Sequence, residues 1–179
     1  MAFLRALACL AILVSLAAAK GAPDREHRVK AVFLFNFAQF VVWPDSAFAG
    51  PSDPLVVGIL GEDPFDTYLD DVVRGEKVNN RPIEVRRYRK VEEAKGCHVL
   101  FVSPSESARM DEILTALKPT RVLTVGESDV FFRNGGMVNF ATESGRIRLK
   151  INLEEVHDAG LNVSSKLLRL ADVSNPGRR

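Results

Sequence analysis

Residues 55–60, LVVGIL, are apolar at every position. A strand that meets water on one face alternates apolar and polar side chains. An unbroken run of this length therefore predicts a strand buried on both faces, as in a parallel sheet held between two layers of helix. Working outward, residues 98–103 (HVLFVS) and 121–126 (RVLTVG) have the same character, while residues 83–88 (IEVRRY) make a fourth strand with a more polar side. Residues 65–74 and 105–117 lie between these runs and carry helical spacing, the second opened by Ser105 and Glu106 after Pro104. Right-handed crossovers through such helices stack three layers.

The second half of the chain changes style. Residues 137–142 (MVNFAT) and 146–151 (RIRLKI) alternate strictly around Glu143, Ser144 and Gly145, the pattern of a hairpin. Its second strand sends Ile147, Leu149 and Ile151 one way and Arg146, Arg148 and Lys150 the other. Residues 164–173 (SSKLLRLADV) predict a final amphipathic helix, and residues 175–179 a frayed end. The expected fold class is α/β: a three-layer sandwich with a mostly parallel sheet and a C-terminal antiparallel hairpin.

The chain has 179 residues, 46% of them apolar, with 24 Lys and Arg against 23 Asp and Glu. That balance suits one domain with a sizeable core and supplies no field to steer a polyanion, so no nucleic-acid partner is expected. Residues 1–19 have another job. One arginine, an apolar run over residues 6–16 and Ala17-Ala18-Ala19 form a secretory signal peptide, cut after Ala19 or, as a second candidate, Ala22. Residues 20–179 are then a single exported domain; a retained anchor is the other reading of the same run. Removal of the signal leaves Cys97 as the one cysteine, too few for an internal bridge. It is either a small buried hydrophobe or a thiol that pairs two chains.

Chemistry is sparse. Gly61, Glu62, Asp63 and Pro64 follow the first strand, where α/β folds place ligands, but without the glycine fingerprint or the P-loop lysine. Gly135 and Gly136 permit positive φ and close approach of a ligand to backbone. These six residues are the possible ligand loop. The histidines lack metal spacing, and Ser103 with His98 lacks the Gly-x-Ser-x-Gly elbow, so neither a metal site, a cofactor nor a catalytic residue is predicted.

Residues 28–43 are apolar around most of a helix, with Lys30, Asn36 and Gln39 on a narrow polar side and Trp43-Pro44 as terminator. The stretch is too short and interrupted to span a bilayer. It is enclosed by its own domain or buried against another chain. On the second view Phe33, Phe37, Phe40 and Trp43 form a partner or dimer surface, with Arg146, Arg148 and Lys150 lining the exposed hairpin face.

The ordered set VKAVFLFNFAQFVVWP, LVVGILGEDPF, CHVLFVS, VLTVGE, GGMVNF and INLEEVHDAGLNVSSKLLRLA, spanning about residues 28–173, resembles the YfiR-like family of periplasmic proteins. The resemblance implies a non-enzymatic, often dimeric α/β domain. It also implies repression of a membrane diguanylate cyclase through that enzyme's periplasmic sensor domain, with release by an outer-membrane partner that sequesters the repressor. Cyclic-di-GMP and biofilm output rise when repression is lost. This sequence departs from relatives with further cysteines in internal bridges, so redox control through such bridges is not carried over. The alternative function is a periplasmic small-molecule binding protein, or a sensor module serving another membrane signalling protein.

Overall fold

A computed structural model describes residues 24–173; the segments expected to form a signal peptide, its cleavage site and a frayed C-terminal end lie outside them. Helix α1 (Arg25–Phe40) opens the described chain, capped by the Asp24 carboxylate, which accepts the His27 amide proton at 2.9 Å. The sequence places its end three residues later than the structure does. Val41–Val42 form a short strand, β1, antiparallel to Asn162–Val163 (β9), and the Ser164 amide donates to the Phe40 carbonyl at 2.8 Å. Two β-branched residues thus leave the helix for a pairing 120 residues away along the chain, a competition that local periodicity does not reveal.

The main sheet has eight strands, in the order Ala171–Val173 (β10), Arg146–Ile151 (β8), Val138–Glu143 (β7), Leu123–Gly126 (β6), Val99–Val102 (β5), Leu55–Leu60 (β2), Arg81–Tyr88 (β4) and Lys77–Val78 (β3). Within it β2 (Leu55–Leu60) runs parallel to β4 (Arg81–Tyr88) on one side and β5 (Val99–Val102) on the other. The parallel run continues through β6 (Leu123–Gly126) to β7 (Val138–Glu143). There β8 (Arg146–Ile151) turns back as the predicted hairpin through Ser144 and Gly145, at φ 51° and 73°. Two left-handed residues in succession are what a two-residue hairpin turn needs. Beyond the first-half strands expected from sequence, Lys77–Val78 (β3) borders β4 antiparallel.

Each buried strand serves two cores. Val57, Ile59, Val99, Phe101, Leu123 and Val125 face the α1 layer, completed by α2 (Tyr68–Val73). Val56, Leu60, Leu100, Val102 and Val122 face α3 (Val91–Ala94), α4 (Met110–Leu117) and α5 (Asp129–Arg133). This is the three-layer sandwich that the continuous apolar runs predict. After the hairpin, α6 (Leu153–Asp158) packs Val156 into the α1-side core.

The tail departs from expectation. Instead of one amphipathic helix, residues 164–173 form a single turn, α7 (Ser165–Leu168), and then a strand, β10 (Ala171–Val173), parallel to β8. Ser164 caps α7 as predicted, accepting from Leu167. Only Leu167 of the leucine set is buried, while Leu170 is exposed, so helical burial is too small to hold a second turn against the open sheet edge.

Candidate functional site

Helix α1 carries apolar residues on nearly every side, and its tertiary environment decides which of them stay in water. Phe37 is fully buried, 5.9 Å from the Phe140 ring, and Trp43 is buried with its indole N–H donating to the Arg121 carbonyl at 3.0 Å. These two residues are core of this chain and are removed from the expected partner surface. Phe33 and Phe40 are half-buried, Phe33 leaning on both Phe37 and Phe140. The solvent-facing apolar positions are Val29 and Val32, about 40% exposed.

These residues frame two adjoining depressions. One, about 340 Å³, runs along α1 over Val29, Val32 and Phe33 to Tyr68 on α2, with Arg25 and Arg28 at its rim. The other, about 500 Å³, lies between α1 and the hairpin tip, where Arg146 and Ile147 meet Val29 and Phe33. The structure therefore brings Phe33 and Arg146 together. Strand alternation turns Arg146, Arg148 and Lys150 alike to the sheet face opposite Ile147, Leu149 and Ile151, and of the three only Arg146, at the hairpin tip, borders the depression that Phe33 lines. Lys150 is paired there with Glu143 at 3.2 Å. The hairpin cations and the aromatic helix positions do not form one continuous patch.

Lys30, expected on the polar side of α1, is buried. Its ammonium is paired with Glu127, in the turn after β6, and with Glu26 one helical turn back at 2.6 Å; Glu26 also accepts from Thr142 on β7. Burial alone would lower the Lys30 pKa, but the hydrogen bonds to Glu127 and Glu26 outweigh it and raise the value. The same hydrogen bond holds the Glu26 carboxyl below its ordinary value. The Glu26/Lys30 spacing of four was visible in the sequence; Glu127, distant along the chain, was not.

The possible ligand loop is divided by the topology. Gly61 follows the carboxyl end of β2, whereas Gly135 and Gly136 lead into the amino end of β7, and these strands run parallel. The two glycine turns thus lie toward opposite ends of the sheet and do not form one site. Around the first, the Glu62 amide donates to Ser105 Oγ at 3.0 Å, and Asp63 accepts from the Phe65 amide and from Arg87 at 2.8 Å. A Cβ on Gly61 would come within 2.5 Å of Ser105 Oγ. Pro64, like Asp63, is half-buried, so the loop's inner space is occupied by the chain's own groups. Gly136 makes room for a ring rather than a ligand, since a Cβ there would stand 2.2 Å from Phe131. Gly135, at φ 99°, borders a cleft of about 130 Å³ beside Glu155 and Lys118.

Cys97 is buried against Gly58 and Tyr88, and desolvation pushes its thiol up to about 12, which favours the first of its two sequence readings. His98 and Ser103 flank β5 at opposite ends, so no hydrolytic pair forms. Among the described residues no group of three or more His, Cys, Asp or Glu could hold a metal, and no helix is long and apolar enough to cross a membrane.

No curated protein matches the chain. Among the solved structures similar to part of it are two of which the chain spans about half the length (54% of each). One is a conserved domain protein from Vibrio cholerae (9% identity, 66% of this chain, TM-score 0.49). The other is the ABC domain from Streptococcus pneumonia in complex with L-Trp (9% identity, 66% of this chain, TM-score 0.47). At that level neither carries an inference here. The family model described as YfiR/HmsC-like matches residues 27–172, nearly the whole described chain, and its members are periplasmic regulatory proteins. The chain belongs to the YfiR/HmsC-like family.

Proposed function

We propose that this protein is an exported, non-catalytic regulator that binds the periplasmic sensor domain of a membrane diguanylate cyclase and represses cyclic-di-GMP synthesis. Family membership across residues 27–172 is the observation that carries this reading. A regulator of this kind needs a docking surface whose occupancy can change, rather than groups that make or break bonds. The α1 face supports it: Val29, Val32 and the half-buried Phe33 are offered to solvent between α2 and the hairpin, with Arg25 and Arg146 beside them. Apolar floor with a charged rim is the composition of a reversible interface. In this reading the protein is a homodimer, and an outer-membrane protein sequesters it to relieve repression.

The test is cellular cyclic-di-GMP in a strain lacking the gene, complemented with the full chain or with a version starting at Lys20. A rise on deletion, reversed only by the exported form, is expected. Unchanged cyclic-di-GMP together with no binding to any periplasmic sensor domain from the same genome would refute the proposal. A Val32→Asp variant of the exported form is expected to weaken binding of the sensor domain at least tenfold, because it puts a carboxylate on the apolar floor.

A further inference from the structure

The charges around the apolar stripe of α1 restrict what can cover it. Arg25 lines both depressions beside the stripe, Arg28 lines the one that runs to Tyr68, and Arg146 lines the one at the hairpin tip. All three are exposed, and the Arg28 guanidinium lies 5.3 Å from the Tyr68 ring centre. The acidic residues next to them in the chain or across the hairpin already have partners. Asp24 pairs with His27 at 3.0 Å, Glu26 with Lys30 at 2.6 Å and Glu143 with Lys150 at 3.2 Å. Neither Arg25 nor Arg146 enters an ion pair among the described residues. The whole chain has a formal charge of only +1, so the excess on this face is local.

Charge and apolarity are also ordered along the helix. Arg25 and Arg28 stand in its first turn, and Arg146 shares the hairpin-tip depression with Arg25. Val29, Val32 and Phe33 follow, and Asn36 is the last helix residue to line the depression beside Tyr68. At 1.5 Å per residue the face from Arg25 to Asn36 is about 16 Å long.

A second copy of the chain is a poor cover, because it would set cations against cations and bring no uncommitted carboxylate in return. An anionic bilayer would suit the arginines, but the apolar residues here line depressions between α2 and the hairpin instead of projecting into a flat surface. A protein segment with both carboxylates and apolar side chains meets both halves of the face.

We propose that α1 docks an acidic, amphipathic segment of the sensor domain, its carboxylates meeting Arg25, Arg28 and Arg146 and its apolar side chains covering Val29, Val32 and Phe33. This inference rests on the regulatory reading above and adds the chemistry of the partner; self-association of the chain then uses another face.

The test is calorimetric binding of the sensor domain to the exported protein in sodium chloride raised from about 50 to about 500 mM, a range over which exposed charge pairs become screened. Affinity should fall at least tenfold across the range. The Arg25→Glu/Arg28→Glu/Arg146→Glu variant should bind at least tenfold more weakly at low salt and lose most of the salt dependence. Lys90→Glu/Lys95→Glu/Arg133→Glu makes the same change in net charge at the ends of α3 and α5, on the other side of the sheet, and should bind as the parent does. Urea unfolding checks that both variants fold, and the salt dependence of the parent needs no variant.

Binding that ignores salt, or that weakens equally in the two variants, overturns the inference and leaves the regulatory reading standing. So does a protein dimer that the α1 variant dissociates in sedimentation, or capture of the parent and not that variant by phosphatidylglycerol vesicles. Absence of any sensor-domain binding overturns it too, and cyclic-di-GMP in the deletion strain then decides whether the regulatory reading falls with it.

Discussion

Acidification should destabilise this protein through His98. Its ring is buried, and its pKa falls from the ordinary 6.5 to about 4 because desolvation penalises the imidazolium. The folded chain therefore binds fewer protons than the unfolded chain between these values, and stability falls as pH is lowered through that window. Near pH 7 both states are almost neutral at this position. Near pH 5 the unfolded ring is mostly charged and the folded ring mostly neutral, which amounts to about 2 kcal/mol lost relative to pH 7. Other ionisable groups also take up protons as acid is added, so the comparison must be made against a variant. His98→Asn keeps an acceptor for the Val56 amide and removes the titration. It should cost about 1–2 kcal/mol at pH 7 through the lost contacts with Phe48 and Trp43. Its further loss between pH 7 and pH 5, measured by urea unfolding, should be smaller than that of the parent by about 2 kcal/mol. Equal pH dependence in the two proteins would refute the argument.

The packing around Lys30, Gly136 and Cys97 sets four further outcomes. Lys30→Ala should destabilise by about 2–3 kcal/mol because Glu127, only 14% exposed, loses its partner; Lys30→Met with Glu127→Gln should cost less than the sum of the single changes in a double-mutant cycle. Since the Lys30 pKa is raised above 10.5, its contribution is complete below that value and should fade as pH rises beyond it, which unfolding curves at alkaline pH will show. Gly136→Ala should cost about 2–3 kcal/mol, as the new methyl meets Phe131 at 2.2 Å, and Phe131→Leu in the same chain should recover part of that loss in thermal unfolding. The Cys97 thiol, buried and pushed up to about 12, should resist alkylation at pH 8 in the native protein and react freely in urea; rapid native labelling would contradict its burial.

Sequence carried the layers of this protein because burial on two faces leaves a local mark. A strand such as residues 55–60 that touches helices on both sides has no polar position to offer, and three such runs separated by helical spacing admit few arrangements. The hairpin was equally legible, with alternation on both strands and a glycine at the turn. The ordered motifs were enough to mark the family, since they extend over nearly the whole domain.

Tertiary structure alone decided the rest, and the reason is the same in each case: the deciding partner is far along the chain. Val41–Val42 leave α1 for Asn162–Val163, and Ala171–Val173 leave a helical pattern for the β8 edge. Lys30 belongs to the interior because Glu127 meets it there. Phe37 and Trp43 are core while Val29 and Val32 face water, although a helix apolar on nearly every side gives no local signal of which stripe packs inward. Parallel strands put Gly61 and Gly135–Gly136 toward opposite ends of the sheet, and His98 is enclosed by Phe48 and Trp43 from separate segments. Local patterning sets which segments form strands and helices; long-range contacts set which surfaces those segments leave for others to bind.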